Sequence, residues 1–240
     1  MSITVFIPAF NEEKNLANAT RGALNALEGY GDDYEIIILN ACSSDNTGKV
    51  AEELAAANPK IRVIQQTQWA GLGTNYMAGV KAARMDYFVM FPGDNENSWQ
   101  SLAQAIALAG KTDIIISYTT NMEVRAWHRR VISDSFVWLL NHLFMLNLRY
   151  YNGNAVYPTR LLKRLEVKSQ DFAYNAEILI KLIKSGCSYT EFGIQIKPTN
   201  KTAIFNIKNI IGVIRTIALL FYDVRIRHRD QYQQAGAARV

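Results

Sequence analysis

Ile3-Thr4-Val5-Phe6-Ile7-Pro8-Ala9-Phe10-Asn11-Glu12-Glu13 is the stretch on which the reading of the whole chain turns. Residues 3–7 are an apolar run stopped by Pro8, the pattern of a short buried strand. Asn11 follows as a helix cap, Glu12 and Glu13 suit a first helical turn, and Leu16, Ala19, Ala23 and Leu24 or Leu27 fall on one stripe. The pattern then repeats. Residues 34–39, 61–65, 87–91 and 113–118 read as strands. Helices follow Ser43-Ser44-Asp45-Asn46 and Gly71-Leu72-Gly73, and another surrounds Leu102. Repeated β-α units of this length imply a mostly parallel sheet covered by helices.

The second half changes character. Residues 125–148 read as a long helix with a basic start and an apolar body, 152–157 as an extended piece, and 172–185 as a helix ended by Gly186. Residues 189–196 alternate as a strand, and 204–227 form a second long amphipathic helix before a polar tail. Neither long helix qualifies as a membrane span. Polar residues from Ser133 to Asn147 interrupt one and Arg215 the other, whereas crossing takes roughly 20 mostly apolar residues.

Composition narrows the class. The 240 residues are 49% hydrophobic and 20% charged, values of a globular domain that exclude disorder and coiled coil. Cys42 and Cys187 cannot build a disulfide framework and lack zinc-site spacing, which favours a reducing compartment. The first residues carry no basic n-region, so they read as a strand and not as a leader, and a cytoplasmic location is expected. Lys and Arg number 26 against 21 Asp and Glu, and the net charge of +5 suits an anionic partner.

Ligands of open parallel sheets bind beyond the carboxyl ends of the strands. Three such ends carry polar clusters: Pro8-Ala9-Phe10-Asn11-Glu12, Asn40-Ala41-Cys42-Ser43-Ser44-Asp45 and Pro92-Gly93-Asp94-Asn95-Glu96. Gly71-Leu72-Gly73 adds a helix start whose N–H groups suit an anion. Each alone reads as a turn or a cap; the four in this order are specific.

In that order, together with Glu35-Ile36-Ile37-Ile38-Leu39, Gly79, Ala82-Ala83 and Asp86-Tyr87, the chain resembles family 2 glycosyltransferases. Among them it is most similar to the dolichyl- and polyprenyl-phosphate sugar transferases. The similarity continues more loosely through Arg129-Arg130-Val131-Ile132-Ser133, Tyr151-Asn152-Gly153-Asn154-Ala155-Val156-Tyr157 and Ala176-Glu177-Ile178-Leu179. It implies a GT-A fold over residues 1–200 with a helical C-terminal extension over 201–240. It also implies inverting transfer of a hexose from a GDP- or UDP-sugar to a lipid-linked acceptor, with polyprenyl phosphate expected.

The resemblance assigns donor binding to Pro8, Phe10, Glu12, Asn40, Gly71, Asp94, Arg125 and Arg130, and catalysis to Asp94, Glu177 and Arg129. Asn40 suits a nucleobase edge because an amide both donates and accepts. The arginines suit a phosphate, or else form a solvated or membrane-facing basic surface. Glu177 serves as general base for a hydroxyl acceptor, orients a phosphate acceptor, or sits in a salt bridge. Two departures stand out. Asn40 and Ala41 replace the aspartate pair usual after the second strand, and Pro92 replaces the first aspartate of D-x-D. Asp94 with Glu96 is then the expected holder of a weakly bound Mg2+ or Mn2+, and metal independence is the alternative. Lys197 and Lys201 fall where the branch carries a basic loop, and His128, His142 and His228 read as structural.

The two long helices, with Trp127, Phe136, Trp138, Phe144, Phe221 and Tyr222, suit either peripheral contact with a membrane or a homodimer interface. Nucleic acid is not an expected partner. Transfer to a soluble glycan or small molecule, and nucleotide binding without transfer, are the alternative functions.

Overall fold

Every strand expected in the first half joins one sheet. The computed structural model describes residues 1–30, 33–196 and 207–227. Its strands are β1 (Ile3–Ala9), β2 (Tyr34–Asn40), β3 (Ile61–Gln65), β4 (Tyr87–Met90), β5 (Ile114–Thr119), β6 (Ala155–Pro158) and β7 (Tyr189–Ile194). They lie in the order β3-β2-β1-β4-β6-β5-β7. Only β6 runs against its neighbours, antiparallel to both β4 and β5; the remaining pairings are parallel.

Period-two alternation sorts the strand residues onto two faces. Val5, Ile7, Ile36, Ile38 and Val89 face α1 (Leu16–Ala26), α2 (Thr47–Ala57) and α4 (Trp99–Leu108). Phe6, Ile37, Leu39 and Phe88 face the other helices: α3 (Leu72–Ala82), α5 (Trp127–Phe144), α6 (Thr159–Arg164), α7 (Tyr174–Lys184) and α8 (Ile207–Tyr222). Burial on both faces is why the central strands read as continuous apolar runs.

Element ends differ from expectation for local reasons. The stripe of Leu16, Ala19, Ala23 and Leu27 is buried as expected, but α1 begins at Leu16 and not beside Asn11. Asn11 takes a left-handed backbone, φ 53°, which turns the chain before the helix can start. The long basic-start helix begins only at Trp127, leaving Arg125 in the preceding turn, and it stops where Met145 goes left-handed at φ 51°. The short helix α6 has no counterpart in the sequence reading. Past α8 the chain continues as a π turn, Asp223–Arg227, and Leu220 and Val224 join the same core as α5 and α7. The domain boundary expected near residue 200, with Lys197, Lys201 and His228, lies outside the described residues. Among the described residues, no helix is long and apolar enough to cross a membrane.

Candidate active site

The loops at the ends of β1 and β2 brace one another. Asn11 N donates to Ser43 Oγ at 3.0 Å, and Ser44 N returns a bond to Asn11 Oδ1 at 2.9 Å. Glu13 N donates to Asp45 Oδ2 at 3.2 Å, Asn46 N donates to Glu13 Oε2 at 3.0 Å, and Glu12 N donates to Thr47 Oγ1 at 2.8 Å. Thus the Ser-Ser-Asp-Asn-Thr run holds the Asn-Glu-Glu turn in place. On the other side of β1, Gly93 N donates to Pro8 O at 3.1 Å and seats the Pro92-Gly93-Asp94 turn against the same strand end.

Over these ends opens a cavity of about 650 Å3. Its polar lining comes from Glu12, Asp94, Arg125, Arg129, Ser133 and Asn152, with Pro8 and Phe10 at the end of β1. Its apolar lining includes Ile132, Phe136 and Leu139 from α5 and Val213, Ile214 and Ile217 from α8. Phe10 and Trp69 meet edge to face at the wall, with ring centroids 4.9 Å apart. Arg125 donates Nη1 to Tyr150 Oη at 2.9 Å, while its buried Nε has no partner among the described residues. Deep in the wall, burial raises the Tyr76 and Tyr174 hydroxyls well above the usual phenol range, so both stay protonated.

Of the residues expected here, Pro8, Phe10, Glu12, Asp94, Arg125 and Arg129 share this wall. Asn40, Gly71, Glu96, Arg130 and Glu177 do not; Arg130, one step round α5 from Arg129, is exposed. Asn40 ends β2 on the parity of Ile36 and Ile38, the face that carries α2, whereas Ala41 turns toward the cavity. Its amide is spent on Gln65 Oε1 at 2.7 Å and Ser43 N at 3.2 Å. The glycine turn is filled by protein: Gly73 N donates to Gln170 O at 3.1 Å, and a side chain on Gly71 or Gly73 would strike the backbone of Ser169 and Gln170. The Gly73 N–H is thereby taken by the protein's own backbone. β4 ends at Met90, before the Pro92-Gly93-Asp94 turn, and beyond it Asn95 is left-handed at φ 58° and Glu96 N folds back onto Asp94 Oδ1 at 3.0 Å, so Glu96 does not follow Asp94 along a strand.

Glu177 is the largest change from expectation. It is buried and paired with Lys181, Oε1 to Nζ 2.7 Å, and it accepts the backbone N–H groups of Lys168 and Ser169. Lys181 also meets Asp223 Oδ2 at 3.2 Å and Glu166 O at 2.8 Å. Of the readings left open for Glu177, the salt bridge is the one its geometry matches. The cluster ties the loop after α6 and the end of α8 to α7.

The apolar wall from α8, Trp69 and Asn75 were not singled out in the sequence. Amphipathic periodicity marked α8 as facing something apolar, but not that it would face this cavity. For Asn75 the signal was a polar residue on the buried stripe of α3, between Leu72 and Tyr76.

The metal expectation meets a thin ligand set. Among the described residues no group of three or more His, Cys, Asp or Glu could hold a metal ion. A dication is satisfied by six or more oxygens, and Asp94 and Glu12, which accepts from Asn15 Nδ2 at 2.6 Å, are the carboxylates in the wall. These residues do not fit a cage that holds a metal by protein alone.

Comparison with known proteins bears on this geometry. Dolichol-phosphate mannosyltransferase of Pyrococcus furiosus is 28% identical over 190 residues, which are 75% of this chain and 53% of that protein. Glycosyltransferase AglD of Haloferax volcanii is 23% identical over 239 residues, 95% of this chain and 38% of that protein. The chain thus spans about half or less of the length of these relatives. Glucosyl-3-phosphoglycerate synthase of Mycobacterium tuberculosis, solved with Mn2+, UDP-glucose and phosphoglyceric acid, superposes with a TM-score of 0.68 at 17% identity. The superposition covers 92% of this chain and 79% of that one, and it speaks to the fold, which is the expected GT-A fold. Residues 4–166, more than half of the chain, match the family described as Glycosyl transferase family 2, and the chain belongs to that family.

Proposed function

We propose that this chain transfers a hexose from a nucleotide sugar to the phosphate of a polyprenyl-type lipid, with inversion at the sugar carbon. The observation that carries the reading is the mixed lining of the cavity. Carboxylates at the strand ends with the guanidinium groups of Arg125 and Arg129 suit a diphosphate and a sugar, and the apolar side chains of α5 and α8 suit a hydrocarbon chain. The Pyrococcus relative's name, a dolichol-phosphate mannosyltransferase, points the same way.

An oxygen of the acceptor phosphate attacks the anomeric carbon from the side opposite the diphosphate. The new carbon–oxygen bond forms as the bond to the donor's diphosphate breaks, and its electron pair leaves with the nucleoside diphosphate. A phosphate acceptor is already anionic, so no general base is required. This agrees with the engagement of Glu177 in a buried ion pair. Charge growing on the leaving diphosphate is met by fixed cations in the wall, Arg125 first, while Arg129 and Ser133 receive the acceptor phosphate. Asp94 orients the donor sugar. No step runs through a metal ion.

Trp127, Trp138, Phe221 and Tyr222 lie exposed on α5 and α8, the two helices that supply apolar side chains to the cavity. Contact of these helices with a membrane surface brings the lipid to the cavity. The test is transfer of labelled sugar from GDP-mannose and UDP-glucose to a polyprenyl phosphate in detergent. Lipid-extractable label is expected from at least one donor. Label found only in a soluble product, or none from either donor, overturns the reading.

A further inference from the structure

Two buried amides line the cavity, and Asn175 is satisfied by Tyr151 O, Gly153 O and the Tyr157 hydroxyl, which leaves Asn75 as the one to which the reading above gives no role. Asn75 is 3% exposed, lines the cavity, and its Oδ1 has no hydrogen-bond partner among the described residues. It occupies the buried stripe of α3, where an apolar side chain would pack without an orphaned oxygen. Its neighbour Tyr76 leans on Tyr174 with ring centroids 4.8 Å apart, so aromatic surface flanks this part of the wall. An amide oxygen accepts and does not donate. Ionised phosphate oxygens also only accept, so the two cannot satisfy each other. The missing partner is a neutral O–H or N–H. Arg125 presents the complementary case in the same wall, a buried donor lacking an acceptor.

We propose that Asn75 is a specificity-determining residue whose Oδ1 accepts a hydrogen bond from a hydroxyl or N–H of the bound nucleotide sugar. A ligand lacking that group leaves the oxygen unpaired and is rejected. The proposal rests on the nucleotide-sugar reading. Two parts of such a donor carry the required chemistry, the nucleoside and the hexose, and binding measurements separate them.

The experiment is titration calorimetry on the full chain with UDP, GDP, UDP-glucose and GDP-mannose, for the parent and for Asn75→Leu, Asn75→Ala and Asn75→Asp. Asn75→Leu and Asn75→Ala are expected to lose about tenfold in affinity for the preferred nucleotide sugar, and Asn75→Asp, which keeps an acceptor, to stay within about threefold. A loss shared by the bare nucleotide assigns the partner to the nucleoside; a loss confined to the nucleotide sugar assigns it to the hexose. Binding unchanged in the apolar variants overturns the proposal. So does a greater loss in Asn75→Asp than in Asn75→Leu, the sign of an anionic neighbour. A parent that binds none of the four probes overturns the nucleotide-sugar reading itself. Thermal melting of each variant separates lost binding from lost folding, and Asn75→Ala, which adds no bulk, decides where Asn75→Leu melts early.

Discussion

Glu177 and Lys181 stand one turn apart on α7, each 3% exposed, with Oε1 and Nζ 2.7 Å from one another. The pair is the hub of a buried cluster. Glu177 fixes the backbone of residues 168 and 169, and Lys181 reaches Asp223 at the end of α8. That backbone in turn fills the glycine turn of α3. One ion pair therefore connects three elements that border the cavity.

Removing one partner of a buried pair leaves an uncompensated charge. Glu177→Ala is expected to lower stability by about 3 kcal/mol, read as a fall in the urea midpoint at unchanged slope. The protein that remains folded should transfer sugar at close to the parent rate. Full stability together with lost turnover would instead mark Glu177 as a catalytic base.

Asp223 makes the same cluster sensitive to acid. Burial pushes its carboxyl up, but hydrogen bonds from Lys168 and Lys181, with their charges, outweigh this and hold it below the ordinary carboxylate value. The folded chain thus binds this proton more weakly than the unfolded chain does. The stabilisation is complete above the unfolded value of about 3.9 and is lost as pH falls through the lower folded value. Protection against hydrogen exchange across α8, relative to the intrinsic rate at each pH, should fall below about pH 4. Asp223→Asn should show no such step; a step of equal size in that variant would place the titration elsewhere.

Arg125 is expected to bind phosphate through a fork that is only partly used within the protein. Arg125→Met should weaken binding of GDP or UDP by about tenfold or more, since hydrogen bonds to charged groups contribute about 1.5–3 kcal/mol. Arg125→Lys should restore only part of it, because a point charge does not reproduce the planar fork. Unaltered nucleotide affinity in Arg125→Met would move this residue out of the donor site.

Asp94→Ala is expected to abolish transfer, whereas EDTA should slow the parent less than about tenfold, because fixed guanidinium groups and not a metal ion meet the charge of the leaving diphosphate. The measurement is turnover with and without chelator. Near-normal turnover in Asp94→Ala would overturn the assignment of this strand end, and complete loss with EDTA would show that donor phosphates and water make up the ligand set.

Trp127 and Trp138 are 74% and 67% exposed on α5, near Arg129 and Arg130. Vesicles containing an anionic phospholipid should float the protein at low salt and release it as salt rises, since each nearby cation contributes about 1 kcal/mol. Trp127→Ala with Trp138→Ala should weaken flotation. Absence of flotation, with a concentration-dependent rise in apparent mass, would assign the same face to a second copy of the chain.

Much of this was legible in the sequence because it depends on neighbours along the chain. The run from Ile3 to Ile7 had to be a buried strand, and the stripe of Leu16, Ala19 and Ala23 had to face a core, whatever lay opposite. The polar clusters after β1 and β4 marked the edge of the sheet over which the cavity opens, since ligands of open parallel sheets are expected beyond the strands' carboxyl ends. What tertiary structure decided was the fate of individual polar groups. Asn40 differs from Ala41 by one step of strand alternation, and only the placement of the helix layers shows which side holds the cavity. The N–H of Gly73 would serve an anion until Gln170, far along the chain, brings a carbonyl to it. Glu177 looks like a base until Lys181 turns toward it and Asp223 closes the cluster. A residue's type states which bonds it is able to make, but burial and the partner within reach determine which it makes, and those are set by chain segments that meet only in the fold.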